Sequence, residues 1–209
     1  MNDIEQLLRD SGAILEGHFI GTSGKHLSGY MNKDAFLPRT DIVSKISMMF
    51  AELNKDKNIE IVVAPAVAGI PFSQWTAHHL SEITGKTVLS IFTEKTSDNG
   101  QLFKRGYETL VKGKRVLVVE DTVATGSSVM KVIERVREAG GTVVALSLVV
   151  NRDPKHITES TFGVPMNALV ELEMQSFAEG EVPEWLQKMP IRTDVGHGAT
   201  YLREKGVSQ

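Results

Sequence analysis

Short, continuously apolar runs alternate with amphipathic segments through the middle of the chain. A run of this kind is typical of a strand whose two faces are both covered, as in a parallel sheet. Between the runs, apolar residues recur at helical spacing, and Pro71 lies where a proline suits the first turn of a helix. This alternation predicts an α/β fold built on a doubly wound parallel sheet with right-handed crossovers. The apolar runs occupy residues 59–64, 86–92, 115–119 and 142–150.

Two segments have the spacing of amphipathic helices. The first begins near Thr40 or Asp41, either of which is a suitable N-cap. The second follows the third apolar run and stops before Gly140-Gly141. Each helix therefore has one face that can pack on the sheet. The apolar face of the second helix carries Val129, Val132, Ile133 and Val136.

The two ends of the chain differ from this alternating pattern. Residues 3–15 have the spacing of a short amphipathic helix, and residues 17–36 contain two short strands joined by a glycine-rich turn. The tail after Asn151 is less periodic, with several prolines and one weak strand near residues 166–174. We expect both ends to pack together as a small hood. The expected boundaries are a single domain at 1–209, a core at about 39–154 and a hood at about 1–38 and 155–209.

Composition narrows the class of partner. The 209 residues include 23 basic and 26 acidic side chains, a net charge of −3, and no basic block that would indicate a nucleic-acid partner. The lack of cysteine excludes disulfides and thiolate metal sites. The first residues lack the pattern of a signal peptide, and no apolar run approaches the ~20 residues needed to cross a bilayer. We expect a soluble cytoplasmic protein that binds a small molecule, without a membrane or nucleic-acid partner.

Residues 116–128, VLVVEDTVATGSS, combine a strand end, two carboxylates and a hydroxyl-rich loop before a helix. In an open parallel sheet, ligands bind beyond the carboxyl ends of the strands. Backbone N–H groups and hydroxyls at a helix start suit a phosphate, whereas the carboxylates of Glu120 and Asp121 repel one. A sugar phosphate satisfies both, with the acids at a solvent-facing edge and the loop running from Thr122 to Ser128. A strand end followed by a capped helix is the alternative interpretation.

This run resembles the motif that binds 5-phosphoribosyl 1-diphosphate (PRPP) in the type I phosphoribosyltransferases. The resemblance implies that the acid pair holds the ribose while the loop holds its 5-phosphate, with Asp121 also attracting a cationic transition state. Thr122 stands where the family usually has an aliphatic residue. The implied PRPP-binding residues here are Glu120, Asp121, Thr122, Val123, Ala124, Thr125, Gly126, Ser127 and Ser128.

Residues 62–73, VVAPAVAGIPFS, resemble the diphosphate-binding loop of the same family. Small side chains there permit close approach of a ligand to backbone N–H groups. Ala68 stands where many orotate phosphoribosyltransferases have a lysine. An ordinary connection between a strand and a helix is the alternative. The implied diphosphate-binding residues are Ala66, Val67, Ala68 and Gly69.

The polar residues 93–106, TEKTSDNGQLFKRG, stand where the family has a mobile catalytic loop. A turn signal at residues 98–100 allows either a hairpin or a mobile loop. The resemblance implies a flap whose cations stabilise the departing diphosphate. The family's lysine- and histidine-rich pattern is absent from TSDNGQLF, so the available catalytic cations are Lys95, Lys104 and Arg105.

Residues 17–36 resemble the N-terminal hood of orotate phosphoribosyltransferases. Lys25, after a Thr-Ser-Gly turn, matches a lysine that approaches the pyrimidine, and Arg152 matches the arginine that faces the orotate carboxylate. Ala124 stands where many members have a threonine that touches the base. Tyr30-Met31 lies where an aromatic pair is common. The implied orotate-binding residues are Lys25, Ala124 and Arg152.

The resemblance implies an orotate phosphoribosyltransferase, a glycosyltransferase of pyrimidine biosynthesis that converts orotate and PRPP to orotidine 5′-monophosphate and diphosphate. It also implies a homodimer whose subunits exchange the flap, and Mg²⁺ that arrives with PRPP rather than bound by protein side chains alone. The histidines, including His78 and His79 beside Trp75, are expected to be structural or surface residues. A phosphoribosyltransferase for another nucleobase and a non-catalytic PRPP-sensing regulator are the alternatives.

Overall fold

The computed structural model describes residues 3–206, which form two compact units. One unit is Leu37–Leu172, and the other combines Asp3–Phe36 with the segment that begins at Glu173. The strands are β1 (Ile14–Ile20), β2 (His26–Met31), β3 (Ile61–Pro65), β4 (Leu89–Lys95), β5 (Gln101–Leu102), β6 (Arg115–Val123), β7 (Thr142–Asn151), β8 (Met166–Glu171) and β9 (Ser176–Phe177). The α-helices are α1 (Asp3–Asp10), α2 (Thr40–Asn54), α3 (Gly69–Thr84), α4 (Tyr107–Val111), α5 (Ser127–Glu138), α6 (Glu159–Phe162), α7 (Glu184–Gln187) and α8 (Gly198–Glu204).

The larger unit is built on a six-stranded sheet in the order β5-β4-β3-β6-β7-β8. All pairs in it are parallel except β4 with β5, which form an antiparallel hairpin. In the central register, Val63 of β3 lies between Ile91 of β4 and Val118 of β6, and all three side chains are buried. The predicted α/β fold with a doubly wound, mostly parallel sheet is therefore confirmed.

Helix α5 packs on this sheet through the predicted apolar face. Val129, Val132, Ile133 and Val136 are all buried in the same cluster as the apolar residues of β6. The helix ends at Glu138, and Gly140 follows with a φ of +80°, a conformation that favours glycine. Helix α2 begins at Thr40 and its N-cap is Arg39, so the prediction of Thr40 or Asp41 as the N-cap was wrong. The Asp41 carboxylate instead accepts hydrogen bonds of 2.9 and 2.7 Å from the Arg39 guanidinium.

Two boundaries in the larger unit differ from the expected ones. Strand β6 continues through Val123, because Thr122 and Val123 pair with Val150 and Asn151 of β7. Strand β8 pairs with β7 in the same sheet, so residues 155–172 belong to the core unit and not to the hood. The longer β6 shortens the loop before α5, and the core extends past the expected residue 154.

The smaller unit contains a three-stranded antiparallel sheet in the order β1-β2-β9. Helix α1 buries Ile4 and Leu8 and ends at Asp10, five residues before the end of the predicted helical segment, because β1 begins at Ile14. The pairing of β9 with β2, and a bridge between His18 and Ile191, join the two ends of the chain in one unit. The outermost hood residues, 1–2 and 207–209, lie outside the described residues.

Within residues 3–206, the longest apolar stretches of helix fall short of what a bilayer crossing requires.

Candidate active site

The carboxyl ends of four neighbouring parallel strands, β4, β3, β6 and β7, lie along one edge of the six-stranded sheet. The chain adds strands outward from β3 in one direction and from β6 in the other, so the strand order reverses between them. Ligands of open α/β sheets bind in the crevice at such a reversal. The candidate residues of the larger unit all come from this edge.

Glu120 and Asp121 lie near the carboxyl end of β6 and are buried, with 7% and 1% of their surface exposed. The backbone N–H of Asp121 donates to Glu120 Oε1 at 3.0 Å, and that of Thr122 donates to Asp121 Oδ1 at 2.7 Å. The expectation of a solvent-facing acid pair was wrong, because pairing with β7 keeps both residues inside the sheet. Two carboxylates thus lie near the carboxyl end of β6, held in place by the sheet.

The loop between β6 and α5 consists of residues 124–126 and is open to solvent at Ala124 and Thr125. Gly126 has a φ of +75°, and a Cβ there would lie 3.0 Å from the ring of Phe162, so a glycine is required twice over. It is the N-cap of α5, whose first residues, Ser127 and Ser128, are exposed. The first backbone N–H groups of the helix and exposed hydroxyls therefore surround an accessible helix start, the arrangement that binds a phosphate.

The connection from β3 to α3 runs beside this loop. The backbone N–H of Ala66 donates to the Thr93 carbonyl at 2.8 Å, which fixes the connection to β4. The Ala66–Val67 peptide bond is cis, and the Val67 side chain is 80% exposed. Ala68 is the N-cap of α3, and Gly69 begins the helix at a point where a Cβ would lie 2.7 Å from that of Ala64. A second helix start, lined by small side chains, thus adjoins the reversal point.

The polar segment after β4 is a hairpin, in which Glu94 pairs with Leu102 and Lys95 with Gln101. Two of the three candidate cations contact one carboxylate: Lys104 Nζ donates to Glu94 Oε2 at 3.0 Å, and Arg105 lies 3.4 Å from Glu94 Oε1. The hydrogen bond from Lys104 holds the pKa of the Glu94 carboxyl below its usual value. The third cation, Lys95, is the exposed last residue of β4.

Helix α5 also holds the hairpin, through residues that the sequence did not single out. Lys131 Nζ donates to the Asn99 carbonyl at 2.7 Å, and Arg135 Nε donates to the Gln101 carbonyl at 3.0 Å. Because the same helix begins directly after residues 124–126, α5 links that loop to the hairpin. A pair of cations one turn apart on a helix is a sequence signal for such an anchor, although it does not reveal the partner.

Arg152 follows the last residue of β7 and is partly buried. Its backbone N–H donates to the Val123 carbonyl at 2.8 Å, so it lies directly beside the end of β6. Lys25 belongs to the smaller unit, where it is exposed in the turn between β1 and β2 and its carbonyl accepts the N–H of Gly21 at 2.9 Å. Every candidate residue of the larger unit is thus at one sheet edge, and Lys25 is at a hairpin tip.

Two histidines of the smaller unit form a buried pair. His18 Nε2 lies 2.6 Å from His26 Nδ1, and the Met189 carbonyl accepts from His18 Nδ1 at 3.1 Å. Since that contact fixes the proton of His18 on Nδ1, His26 Nδ1–H must be the donor to His18 Nε2. Burial, and then the neighbouring His18, lower the pKa of His26. The pair has the contacts of a structural element, as expected for these residues.

Comparison with known proteins gives a consistent match. The sequence profile of the phosphoribosyl transferase domain matches residues 33–176. An orotate phosphoribosyltransferase of Caldicellulosiruptor bescii is 34% identical over 186 residues, which are 89% of this chain and 92% of that protein.

Solved structures show the same fold. The orotate phosphoribosyltransferase of Aeropyrum pernix has a TM-score of 0.62 at 20% identity over 99% of each chain. That of Mycobacterium tuberculosis in complex with PRPP has a TM-score of 0.64 at 22% identity, over 81% of this chain and 94% of the other. With the profile match and the sequence relatives, the conclusion is that this chain belongs to the phosphoribosyltransferase family.

Proposed function

We propose that the protein is an orotate phosphoribosyltransferase, which transfers the 5-phosphoribosyl group from PRPP to orotate and releases diphosphate. The observation that carries the proposal is the juxtaposition of two helix starts, a buried acid pair and Arg152 along the edge where the strand order reverses. The identity to orotate phosphoribosyltransferases over 89% of the chain supports the choice of base.

The loop at residues 124–126 and the first two residues of α5 bind the 5-phosphate in this proposal. The backbone N–H groups there, with the hydroxyls of Thr125, Ser127 and Ser128, donate to the phosphate. The dipole of α5 contributes about 0.3–1 kcal/mol to the binding free energy. Glu120 and Asp121 accept hydrogen bonds from the ribose hydroxyls. Their burial keeps these acceptors oriented, and their negative charge stabilises the cationic character that develops at the anomeric carbon.

The connection at residues 66–69 holds the diphosphate through backbone N–H groups. The bond between the anomeric carbon and the diphosphate oxygen breaks, and the diphosphate takes the electron pair. A ring nitrogen of orotate forms the new bond to that carbon, and the proton on this nitrogen passes to a diphosphate oxygen or to water. Lys95, Lys104 and Arg105 stabilise the charge on the leaving group. Lys104 and Arg105 contact the Glu94 carboxylate in the structure, so each must leave that carboxylate to contact a diphosphate oxygen.

Mg²⁺ is part of the proposal as an ion that enters with PRPP. Glu120 and Asp121 offer oxygen donors of the kind that Mg²⁺ prefers, but two carboxylates do not complete an octahedral shell, so PRPP and water supply the remaining ligands. When bound, the ion neutralises charge on the diphosphate.

Arg152 recognises the carboxylate of orotate in this proposal. A guanidinium can donate two parallel hydrogen bonds to a carboxylate. Uracil and the purine bases have no carboxylate. Ala124 and Lys25 are the other proposed contacts of the base. A homodimer and a cytoplasmic location stay predictions, and the mass of the protein in solution tests the first of them.

The proposal is tested with a panel of bases. Purified protein, PRPP and Mg²⁺ are mixed with orotate, uracil, adenine or hypoxanthine, and diphosphate release is measured in each mixture. We expect release only with orotate, together with loss of its ultraviolet absorbance. Release with a purine would refute the choice of base. Binding of PRPP without release from any base would instead favour a regulator.

A further inference from the structure

Helix α3 carries a cluster of metal-ligating side chains that the phosphoribosyltransferase site does not use. His78, His79 and Glu82 each offer one donor atom, and the three atoms lie within 4.8 Å of one another. His78 follows the first residue of α3 by nine positions, which is about 14 Å along the helix axis and away from the strand edge. His78 and His79, expected only to pack beside Trp75, therefore form part of a separate donor set.

Two of the three donor separations suit a tetrahedral ion, and the donor nitrogens of the two histidines lie within 4.8 Å of each other. Glu82 Oε2 lies 3.5 Å from His78 Nε2 and 3.5 Å from His79 Nδ1. Two ligands of Zn²⁺, each about 2.0–2.2 Å from the metal, are about 3.3–3.6 Å apart in a tetrahedron. These separations are long for hydrogen bonds but match the edges of a zinc coordination shell.

His79 supplies an independent observation. Only 6% of this residue is exposed, and its Nδ1 makes no hydrogen bond with any residue in the described part of the chain. Its other nitrogen, Nε2, contacts Ser44 Oγ at 3.0 Å, and the indole of Trp75 stacks on the ring at 5.6 Å. A metal-bound histidine commonly has its second nitrogen held in this way, which leaves the lone pair of the first directed at the ion.

We propose that His78, His79 and Glu82 bind a divalent transition-metal ion, for which Zn²⁺ is the best match. Two imidazoles and one carboxylate favour zinc over Mg²⁺ or Ca²⁺, which prefer oxygen ligands. The three side chains leave a fourth position for water. Because Ser44 belongs to α2, occupancy of the site strengthens the contact between α2 and α3 and stabilises the folded chain.

A simple helical ion pair between His78 and Glu82 is the competing explanation. An ion pair predicts no saturable binding of Zn²⁺ that depends on these side chains, so titration with the metal separates the two explanations.

The experiment uses tag-free full-length protein and isothermal titration with Zn²⁺ at pH 7.5. Two variants change exposed ligands, His78→Ala and Glu82→Gln, and His156→Ala is the control because His156 is an exposed histidine with a carboxylate partner elsewhere. We expect Zn²⁺ to bind the wild type and the control equally, and each ligand variant at least about tenfold more weakly. Equal affinity in all four proteins, or no saturable binding to the wild type, would overturn the proposal.

A second readout locates the ion. The rings of His78 and His79 lie 5.7 and 5.6 Å from that of Trp75, so Ni²⁺ in the site should quench its fluorescence. Trp185→Phe removes the emission of the exposed Trp185. In that background we expect saturable quenching by Ni²⁺ that excess Zn²⁺ reverses. Quenching that persists unchanged after His78→Ala would contradict the assignment.

Discussion

The backbone N–H of Arg152 donates a hydrogen bond of 2.8 Å to the carbonyl oxygen of Val123. This bond joins the residue after β7 to the last residue of β6, immediately before the loop at residues 124–126. The sheet therefore fixes the proposed orotate-binding arginine next to the proposed phosphate loop. Changes in the Arg152 side chain leave this backbone contact intact, which makes the guanidinium a suitable target for substitution.

Arg152→Ala is expected to raise the Michaelis constant for orotate about tenfold to hundredfold, because a hydrogen bond to a charged group is worth about 1.5–3 kcal/mol. The constant for PRPP should change little, since PRPP does not contact the guanidinium in this account. Steady-state kinetics with each substrate varied in turn measures both. Arg137→Ala, an exposed arginine in the last turn of α5, is the control. An unchanged constant for orotate would remove Arg152 from the base site.

Asp121→Asn is expected to lower kcat/KM for PRPP about tenfold to hundredfold, since a charge-assisted bond worth about 1.5–3 kcal/mol is lost. Asparagine retains an oxygen that can accept the Thr122 N–H, so the strand end should persist. The measurement is PRPP kinetics beside a thermal melt of the same variant. Kinetics like those of the wild type would refute the ribose role. A large drop in Tm with little kinetic loss would show that the acid mainly secures the strand-to-helix turn.

Gly126→Ala is expected to destabilise the protein by about 1–3 kcal/mol, because the residue has a positive φ and a methyl group would meet Phe162. The affinity for PRPP should fall as well, since the loop would have to shift. Chemical unfolding and PRPP titration measure these effects. Gly180→Ala is the control, because a Cβ there meets nothing within 4 Å. Equal stability of both variants would show that the loop tolerates another conformation.

Lys104→Gln is expected to lower kcat about tenfold to hundredfold while the Michaelis constant for orotate changes little, because the lysine would stabilise the leaving diphosphate and not the base. The control is Lys114→Gln, because Lys114 makes a similar ion pair with Glu60 near the amino ends of β3 and β6. If both substitutions affect kcat equally, the loss reflects a weakened ion pair and not catalysis.

The His18–His26 pair predicts a pH-dependent stability. The pKa of His26 is lowered in the folded protein, mainly by burial, while Glu179 opposes this effect and Lys205 adds to it. The unfolded chain therefore binds a proton at His26 more readily than the folded chain does. Neutral His26 makes its full contribution to the free energy of unfolding above about pH 6.5, and this contribution is lost as the pH falls below that value. Urea unfolding at pH 8 and pH 5.5 measures the difference. His26→Gln should reduce it, and an unchanged pH dependence in that variant would contradict the assignment.

Local patterns in the sequence were sufficient to predict most of the sheet and the apolar face of α5, because buried strands and amphipathic helices have distinct periodicities. They failed at the end of β6, where the polar residues Glu120, Asp121 and Thr122 indicate a loop but pairing with β7 keeps them in the strand. They also failed for β8, whose place in the sheet depends on residues far away in the chain.

The same limit applies to the candidate site. The resemblance to phosphoribosyltransferase motifs was sufficient to predict the candidate phosphate loop and the role of Arg152, since both directly follow recognisable strands. It did not identify Lys131 and Arg135 as anchors of the hairpin, whose partners lie 32 and 34 residues away. His18 has a partner 171 residues away, which no local pattern can reveal.

The identity of the product tests the central claim most directly. Wild-type protein is incubated with PRPP, Mg²⁺ and isotopically labelled orotate, and the nucleotide and diphosphate that form are separated, identified by mass and quantified. We predict that the label appears in orotidine 5′-monophosphate and that one diphosphate is released for each nucleotide formed. Unchanged labelled orotate, or diphosphate released without a nucleotide, would contradict the assignment of this chain as an orotate phosphoribosyltransferase.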